Sequence, residues 1–318
     1  MGLLYKTLEI IVYDKLTKKV YEMYQQYPFP ADVDYKMVYS LSILWFFAKN
    51  APEGKKSFLD GANIMEAGCG TGNTLIKLAQ MFPASTFTGV DITINSLEIA
   101  KKNAKRFELD NISFINKDIL GFDLNKKFDV VFCIGVLHHL ANMKNGFENL
   151  VKHTSEEGYL VLWLYGKYGR SRLNLNQKML ETLFGNVPSL VDKVNLTKRI
   201  LQKTKPEHID CHFNVPDSKI EDDWERSLEF VLNNDAWLVD QFLHYNEKTV
   251  SMNEILEFVE DFSMELVHWD NVLLDINKYI DDEEVAKLYT RLSHKQKLLV
   301  LDYLLKPNYY LIILKKRL

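Results

Sequence analysis

Between residues 62 and 165 the sequence alternates short apolar runs with segments of helical periodicity, and this alternation constrains the fold more than any other feature. The first run, NIMEAG, is followed by NTLIKLAQMF, whose apolar residues recur three and four positions apart. Later runs such as FDVVFCIGVL and GYLVLWLY are almost continuously apolar. Alternating strands and helices form a parallel sheet, and continuously apolar strands are typical of a sheet covered on both faces. The sequence therefore predicts an α/β fold with a doubly wound, mostly parallel sheet.

The remaining segments extend this plan. Residues 1–60 are mainly helical in pattern and are interrupted by YPFP, where two prolines impose an extended backbone. Residues 166–250 are helical and irregular, and the runs SMELVHWD and NYYLIILKK then predict two more strands, seven in all. We therefore expect four segments: an N-terminal helical lid (1–60), a Rossmann-like core (61–165), a helical insertion that caps the site (166–250) and a completion of the sheet (251–318).

Three glycines, Gly68, Gly70 and Gly72, lie between the first predicted strand and the first predicted helix of the core. Glycine permits positive φ and has no Cβ, so a ligand can approach the backbone closely. The amides of such a turn and of the following helix N-terminus carry partial positive charge. Ligands of open α/β sheets bind beyond the carboxyl ends of the strands, where this turn lies. The alternative is a tight turn without a ligand.

Four residues near this turn narrow the class of ligand. Asn73 departs from the dinucleotide fingerprint G-x-G-x-x-G, and no Gly-Lys-Ser/Thr ending of a phosphate-binding loop follows. Glu66 would repel a pyrophosphate but can hold an ammonium group. Asp91 ends the second strand and can accept hydrogen bonds from ribose hydroxyls, and Asp118 ends the third, where it can accept one from an adenine amino group. Together these features describe a cationic aminoacyl nucleoside, S-adenosylmethionine.

The motifs MEAGCGTG (65–72), GVDI (89–92), NKDI (116–119) and FDVVFCIGVLHHL (128–140) resemble those of class I S-adenosylmethionine-dependent methyltransferases. The resemblance implies their Rossmann-like fold, S-adenosyl-L-methionine as cofactor and S-adenosyl-L-homocysteine as product. YEMYQQYPFP, LYGKYGR and VDQFLH also resemble one bacterial branch of this family. The cofactor-binding residues implied are Glu66, Gly68, Cys69, Gly70, Thr71, Gly72, Asp91, Ile92, Asp118, Ile119, Cys133, Ile134 and Gly135.

Two adjacent histidines follow the fourth strand at the edge where the ligand should bind. Methyl transfer needs a general base only if the acceptor carries a proton, and imidazole suits that role. Of two neighbouring side chains one should face inward. We therefore predict that His138 faces the acceptor as the catalytic base and that His139 is a supporting residue at the acceptor. Gly135 stands where a metal site would need an acid, and the run PEHIDCH (206–212) has no second cluster, so no metal is predicted.

Aromatic and basic residues around the same edge are candidates for contacting the acceptor. Tyr165 and Tyr168 can orient it through their hydroxyls, and Arg170 can clamp a carboxylate or phosphate. Tyr27, with the neighbouring aromatic residues of the N-terminal segment, can form part of a lid. The alternatives are a solvated loop after the fifth strand and simple aromatic packing of an N-terminal helix on the sheet.

Charge and composition exclude several function classes. The chain has 318 residues and a net charge of −4, which does not favour a nucleic-acid partner. Basic residues predominate between 166 and 206, but aromatic residues are not interleaved with them as in single-strand binders. Three scattered cysteines suggest a reducing compartment. The longest apolar run is about half of the ~20 residues that span a bilayer, and no signal peptide is evident, so we expect a cytoplasmic protein with no membrane partner.

These observations favour an S-adenosylmethionine-dependent methyltransferase that acts on a small-molecule acceptor enclosed by the N-terminal segment and the insertion. One alternative is a methyltransferase acting on RNA or protein through the basic half of the insertion. Another is a non-catalytic S-adenosylmethionine-binding protein. A nicotinamide-dependent dehydrogenase is disfavoured by Asn73 and Glu66. A homodimer remains open.

Overall fold

A seven-stranded sheet forms the centre of the part of the chain that the structure, a computed structural model, describes: residues 14–30, 41–209 and 223–317. Its order is β3-β2-β1-β4-β5-β7-β6, and only β7 runs antiparallel to its neighbours. The mostly parallel, doubly wound sheet predicted from the sequence is confirmed. The strands are β1 (Asn63–Ala67), β2 (Thr86–Asp91), β3 (Ile112–Asn116), β4 (Phe128–Ile134), β5 (Thr154–Tyr165), β6 (Met264–Trp269) and β7 (Tyr309–Lys316).

Helices flank both faces of the sheet and continue into the insertion. The region between β6 and β7 contains two consecutive helices, because Ser293 and Gln296 form a capping box that starts the second one. Within the described residues the helices are α1 (Lys15–Gln26), α2 (Leu41–Lys49), α3 (Asn73–Met81), α4 (Ile94–Arg106), α5 (Met143–His153), α6 (Ser171–Leu183), α7 (Leu190–Lys203), α8 (Pro206–Ile209), α9 (Trp224–Asn233), α10 (Asp235–Phe242), α11 (Met252–Asp261), α12 (Glu283–Thr290) and α13 (His294–Leu305).

Both faces of the sheet are buried, which explains the continuous apolar strands. Val131 and Cys133 of β4 point into a cluster with α5, α11 and α13, while Val130 and Phe132 point into a second cluster with α2 and α3. This alternation follows the two-residue period of a strand. Because helices cover both faces of the sheet, a site can form at the carboxyl ends of the parallel strands.

A third apolar cluster joins the N-terminal helix to the insertion. Met23 of α1 is buried against side chains of α6, α7, α9 and α10, among them Leu173 and Phe242. The two helical segments on either side of the core in sequence are therefore packed together.

Some predictions concern residues outside the described ranges. Residues 1–13 of the N-terminal segment predicted as mainly helical lie there, and so do Cys211 and His212 of the PEHIDCH run. None of the described helices is both long enough and apolar enough to cross a membrane.

Candidate active site

The glycine loop between β1 and α3 has an unusual backbone. Gly68, Gly70 and Gly72 have φ values of 76°, 50° and 78°, a region that residues with a Cβ rarely adopt. The amides of Gly68 and Cys69 donate to the carbonyl of Val90, at 2.7 and 3.1 Å, so the loop is attached to the end of β2. The functional consequence is that main-chain atoms, rather than side chains, face the space beyond the strands.

Asp91, the last residue of β2, holds this loop in place. Its carboxylate accepts the amide N–H of Gly70 at 2.8 Å and that of Thr93 at 2.7 Å. Burial raises the pKa of Asp91, and the two amide hydrogen bonds oppose that effect. Each carboxylate oxygen has a second lone pair. Asp91 can therefore order the loop and still accept hydrogen bonds from a ligand.

A cavity of about 300 Å³ lies along the carboxyl ends of the strands, next to the glycine loop. Asp118 lies on its wall, half-buried, with its carboxylate accepting the amide of Leu120 at 2.9 Å; burial raises its pKa. The predicted cofactor-binding residues that line the cavity are Gly68, Gly70, Asp91, Ile92, Asp118, Ile119, Ile134 and Gly135.

Five predicted cofactor-binding residues do not line the cavity. They are buried behind its wall: Glu66, Cys69, Thr71, Gly72 and Cys133. Thr71 donates its hydroxyl to the carbonyl of Pro30 at 3.2 Å. Cys133 belongs to the apolar cluster under α5, because strand residues alternate between the two faces of the sheet. In the structure these five residues lie behind the cavity wall, and their role in cofactor binding stays a prediction.

The two adjacent histidines are reversed relative to the prediction. They form a short 3₁₀ turn, Leu137–His139, in which successive side chains point in different directions. His139 lines the cavity, whereas His138 is fully buried and does not. Among the described residues, neither ring nitrogen of His138 has a hydrogen-bond partner, and its ring packs against those of Trp163 and Tyr165. The prediction that His138 faces the acceptor is thus corrected to His139.

His139 is held in a defined tautomer. Its Nδ1 is 2.8 Å from the carbonyl oxygen of Asn246, to which it can only donate, so Nε2 is the unprotonated nitrogen of the neutral ring. The ring stacks on that of His244, with centroids 3.7 Å apart. Burial lowers the pKa of His139, and the nearby carboxylates of Asp240 and Glu247 partly oppose this. The side chain is therefore an oriented, neutral imidazole at neutral pH.

One atom of each of His139, Asp240 and His244 could ligate a metal ion, and these three atoms lie within 4.8 Å of one another. Their geometry does not suit a metal ion. The amide of Asn246 donates to Nδ1 of His244 at 3.0 Å, so the neutral ring carries its proton on Nε2. The two imidazole planes are also only 23° apart, and lone pairs in nearly parallel stacked planes do not converge on one point. The cluster fits a hydrogen-bonded ring pair.

Arg170 does not stand free to clamp an anionic acceptor, which corrects that prediction. Its guanidinium donates to both carboxylate oxygens of Glu247, at 2.7 and 2.9 Å, and the two side chains are 1% and 3% exposed. It also lies 3.3 Å from the centroid of the Tyr165 ring. Arg170 is therefore a buried structural cation whose partner, Glu247, the sequence did not reveal.

Of the other predicted acceptor residues, only Tyr165 lines the cavity. Its hydroxyl donates to Asp240 Oδ2 at 3.3 Å and accepts from Gln241 at 3.1 Å. Tyr168 packs near Tyr303 instead, and Tyr27 packs at the edge of the apolar cluster of the insertion. Neither Tyr168 nor Tyr27 lies on the cavity wall.

The upper wall of the cavity comes from α1, the YPFP segment and α10. Thr17, Val20 and Tyr24 of α1 line it together with Phe29. The hydroxyl of Tyr24 donates to Asp240 Oδ1 at 2.7 Å and so links α1 to α10. The lining residues that sequence reasoning missed include Trp163, Trp237, Asp240 and Gln241. The VDQFLH motif (239–244) was a signal for the last two.

Comparison with known proteins is consistent with this site. A family model described as a methyltransferase domain matches residues 59–226. An uncharacterized protein of Synechococcus is 29% identical over 183 residues, 54% of this chain but only 42% of that protein. A malonyl-[acyl-carrier protein] O-methyltransferase of Bacillus anthracis is 25% identical over 233 residues, 72% of this chain and 76% of the relative. Among solved structures, PKMT2 from Rickettsia typhi in complex with AdoHcy (S-adenosyl-L-homocysteine) has a TM-score of 0.62 at 17% identity. The match covers 82% of this chain and 51% of PKMT2.

Proposed function

The chain belongs to the class I S-adenosylmethionine-dependent methyltransferases, and from that premise we propose that it methylates a small-molecule acceptor enclosed above the strand ends. The observation that carries the proposal is the cavity of about 300 Å³ walled by the glycine loop and strand ends on one side and by α1 and α10 on the other. Its size is at the lower end of the range for small-molecule sites. An acceptor that fits there would be a metabolite or a small group.

The residues of the wall fit S-adenosylmethionine, the cofactor of this family. Gly68 and Gly70 present main chain without Cβ atoms, Asp91 offers its remaining lone pairs to ribose hydroxyls, and Asp118 offers one to an adenine amino group. When bound, the cofactor supplies an activated methyl group on a sulfonium sulfur. The protein then contributes mainly orientation and exclusion of water.

We assign the general base to His139. Its neutral Nε2 can accept the proton that an acceptor must lose, and the carbonyl of Asn246 keeps the ring in the orientation that makes this nitrogen available. Asp240 lies close enough to favour the imidazolium that results. A base whose ring is oriented by a hydrogen bond at one nitrogen, with the other nitrogen left to take the proton, is the usual arrangement for histidine.

The cap over the cavity is assigned to the N-terminal segment and the insertion. Tyr24 of α1 and Asp240 of α10 are joined by a hydrogen bond, and Asn95 of α4 donates to the carbonyl of Gln25 at 2.9 Å, which attaches α1 to the core. A cap held at both ends would keep water from the reacting groups. Substrate entry then requires α1 or α10 to move.

One experiment tests the proposed function directly. The full-length protein is incubated with methyl-labelled S-adenosylmethionine and a small-molecule extract, and labelled products are separated by mass. We expect label in a small compound that passes an ultrafiltration membrane, whereas protein and RNA are retained. Label found only in protein or RNA would contradict the small-molecule acceptor, and failure to bind AdoHcy in calorimetry would contradict the cofactor assignment.

A further inference from the structure

The charged residues on the cavity wall are all acidic. Asp91, Asp118 and Asp240 line it, and within the described ranges no lysine or arginine does. The proposed function uses the first two to hold the ribose and the adenine of the cofactor. Asp240 is the carboxylate whose ligand remains to be assigned.

The order of the strands places Asp240 at the other end of the cavity from the nucleoside. Asp91 and Asp118 follow β2 and β3, on one side of β1. Asp240 contacts the hydroxyl of Tyr165, the last residue of β5, which lies on the opposite side beyond β4. His139, which follows β4, has a ring nitrogen within 4.8 Å of a carboxylate oxygen of Asp240. Asp240 therefore faces the same space as the proposed base.

Among the described residues, no cationic side chain forms an ion pair with Asp240. Its three hydrogen-bond donors, Tyr24, Tyr165 and Gln241, are uncharged. The buried cation of the region, Arg170, is already matched by both carboxylate oxygens of Glu247. Burial lowers the pKa of His139 and of His244, which are therefore neutral at neutral pH. Arg170 still attracts Asp240 electrostatically, but Arg170 is one cation beside two carboxylates, Glu247 and Asp240. A cationic occupant would balance the second carboxylate and lower the cost of its burial.

Aromatic side chains lie next to this carboxylate: Tyr24 and Tyr165 donate to it, and Trp163 packs against Tyr165 with ring centroids 4.8 Å apart. The cavity is lined by the rings of Tyr24, Phe29, Trp163, Tyr165 and Trp237. Aromatic faces attract ammonium groups and accommodate the carbon atoms next to them. An acceptor with a carboxylate or phosphate at this position would be repelled by Asp240, and none of the described lysines or arginines lines the cavity to compensate.

We propose that the acceptor is a small amine that enters as an ammonium ion, recognised by the Asp240 carboxylate and the surrounding aromatic rings. The inference rests on the proposed function and names the substrate class of that site. The ammonium transfers one proton to Nε2 of His139, and the freed nitrogen lone pair forms the new N–C bond to the methyl group. The C–S bond breaks, its electron pair stays on sulfur as a neutral thioether, and His139 releases its proton to solvent. The product is the N-methylated ammonium.

Three probes of the same shape test this recognition: 2-phenylethylamine, 2-phenylethanol and phenylacetate. Each is titrated into the full-length protein saturated with AdoHcy, and binding is followed by tryptophan fluorescence because Trp163 and Trp237 line the cavity. We expect the amine to bind at least about tenfold more tightly than the alcohol, the gain typical of a charged hydrogen bond, and the acid most weakly. Equal or tighter binding of the alcohol or the acid would overturn the proposal.

The substitution Asp240→Asn isolates the carboxylate. We expect it to reduce the preference for the amine over the alcohol to within about twofold, because only the charge-assisted part is lost, while AdoHcy affinity stays unchanged. Asp235→Asn is the matched control: it removes a carboxylate from the first residue of the same helix, where Asp235 is 46% exposed, pairs with Lys198 and does not line the cavity. This variant should keep the preference.

The outcomes separate the two proposals. If wild-type protein does not bind AdoHcy, the proposed function fails; if it binds AdoHcy but shows no preference for the amine, only the present inference fails. If Asp240→Asn weakens S-adenosylmethionine but not AdoHcy, the carboxylate faces the sulfonium of the cofactor and the inference is overturned. If that variant does not fold, the wild-type preference among the three probes still decides the question.

Discussion

Asp91 connects backbone order to ligand recognition through a single carboxylate. It accepts two amide hydrogen bonds, one from the glycine loop and one from the turn after β2, and it lies on the cavity wall. Because these bonds are to main chain, Asp91 fixes the backbone of the loop directly. The same carboxylate is the proposed acceptor for the ribose.

The substitution Asp91→Ala should weaken AdoHcy binding. Loss of hydrogen bonds to a charged group corresponds to about 1.5–3 kcal/mol each, about tenfold or more in affinity. Titration calorimetry measures the change. The control is Asp129→Ala: Asp129 accepts the amide of Asn63 at 2.8 Å, at the opposite end of the strands, so its loss should leave AdoHcy affinity intact. Unchanged affinity in the Asp91 variant would refute the ribose assignment.

His139 and His138 differ in exposure to the cavity, and substitution should distinguish them. His139→Ala should lower kcat by about 10²–10⁴-fold, the usual contribution of a general base, and leave AdoHcy affinity unchanged. His138→Ala should mainly lower stability, because it empties a fully buried site packed against aromatic rings. Steady-state kinetics and urea unfolding measure the two effects. A larger loss of kcat in the His138 variant would return the base role to that residue.

The pH profile gives an independent check on the base. Burial lowers the pKa of His139 below its usual value of 6.5, so the ring is already deprotonated at neutral pH. We expect kcat to be flat above about pH 6.5 and to fall on acidification as His139 takes up a proton. The His139→Ala variant should lose this acidic limb. A rise in kcat on acidification would be incompatible with a neutral imidazole as the base.

At the scale of elements, the glycine loop and the YPFP segment depend on each other. A Cβ added to Gly70 would lie 2.5 Å from the carbonyl oxygen of Phe29, and the hydroxyl of Thr71 donates to the carbonyl of Pro30. The N-terminal segment is thus seated on the main chain of the loop. This contact explains why the middle position of the loop must be glycine even apart from its positive φ.

The substitution Gly70→Ala should therefore distort the glycine loop and displace the YPFP segment that packs on it. We expect AdoHcy affinity to fall by at least about tenfold, because an alanine at positive φ costs about 1–2 kcal/mol and the clash displaces Phe29 as well. Gly54→Ala is the matched control: Gly54 also has positive φ, 78°, but a Cβ there meets nothing within 4 Å. Calorimetry on both variants decides. If the two variants bind AdoHcy equally well, the close approach of Phe29 has no role.

At the scale of the whole molecule, two helical segments far apart in sequence close one edge of the sheet. The hydrogen bond from Tyr24 to Asp240 joins residues 216 positions apart. The faces of the sheet are buried independently of this contact, against α2, α3, α5, α11 and α13. The cap can therefore move without disturbing the strands that carry the glycine loop.

Hydrogen exchange should reveal this division. Bound AdoHcy should slow exchange in α1 and α10, whose side chains line the cavity, more than in α12 and α13, whose residues do not. A ligand that binds only the native state also stabilises the whole protein, by about 2.7 kcal/mol at a hundred times its Kd. AdoHcy is therefore used at a lower concentration that still fills most sites, so that local protection is not masked by the global effect. Protection confined to the glycine loop and strand ends would show that the two helices do not form the cap.

The strands, the core helices and the loop at the first strand end could be read from the sequence because each is a local pattern. Period-two and helical periodicity reflect burial of one element face, and glycines after a strand reflect positive φ at that turn. Asp91 and Asp118 could also be placed, since the carboxyl ends of parallel strands meet at one edge of the sheet whatever the details of packing. These features need no knowledge of distant residues.

Only the tertiary structure decided which side chains face the cavity. His138 and His139 differ by one position, and the choice between them depends on Asn246, over 100 residues away. Arg170 lost its predicted role because Glu247, 77 residues later, pairs with it inside the protein. Asp240 lies on the cavity wall, where it is hydrogen-bonded to Tyr24 of the distant helix α1. Hydrogen bonds and ion pairs between remote segments form only when the chain has folded, and no local pattern encodes which remote partner a polar side chain will meet.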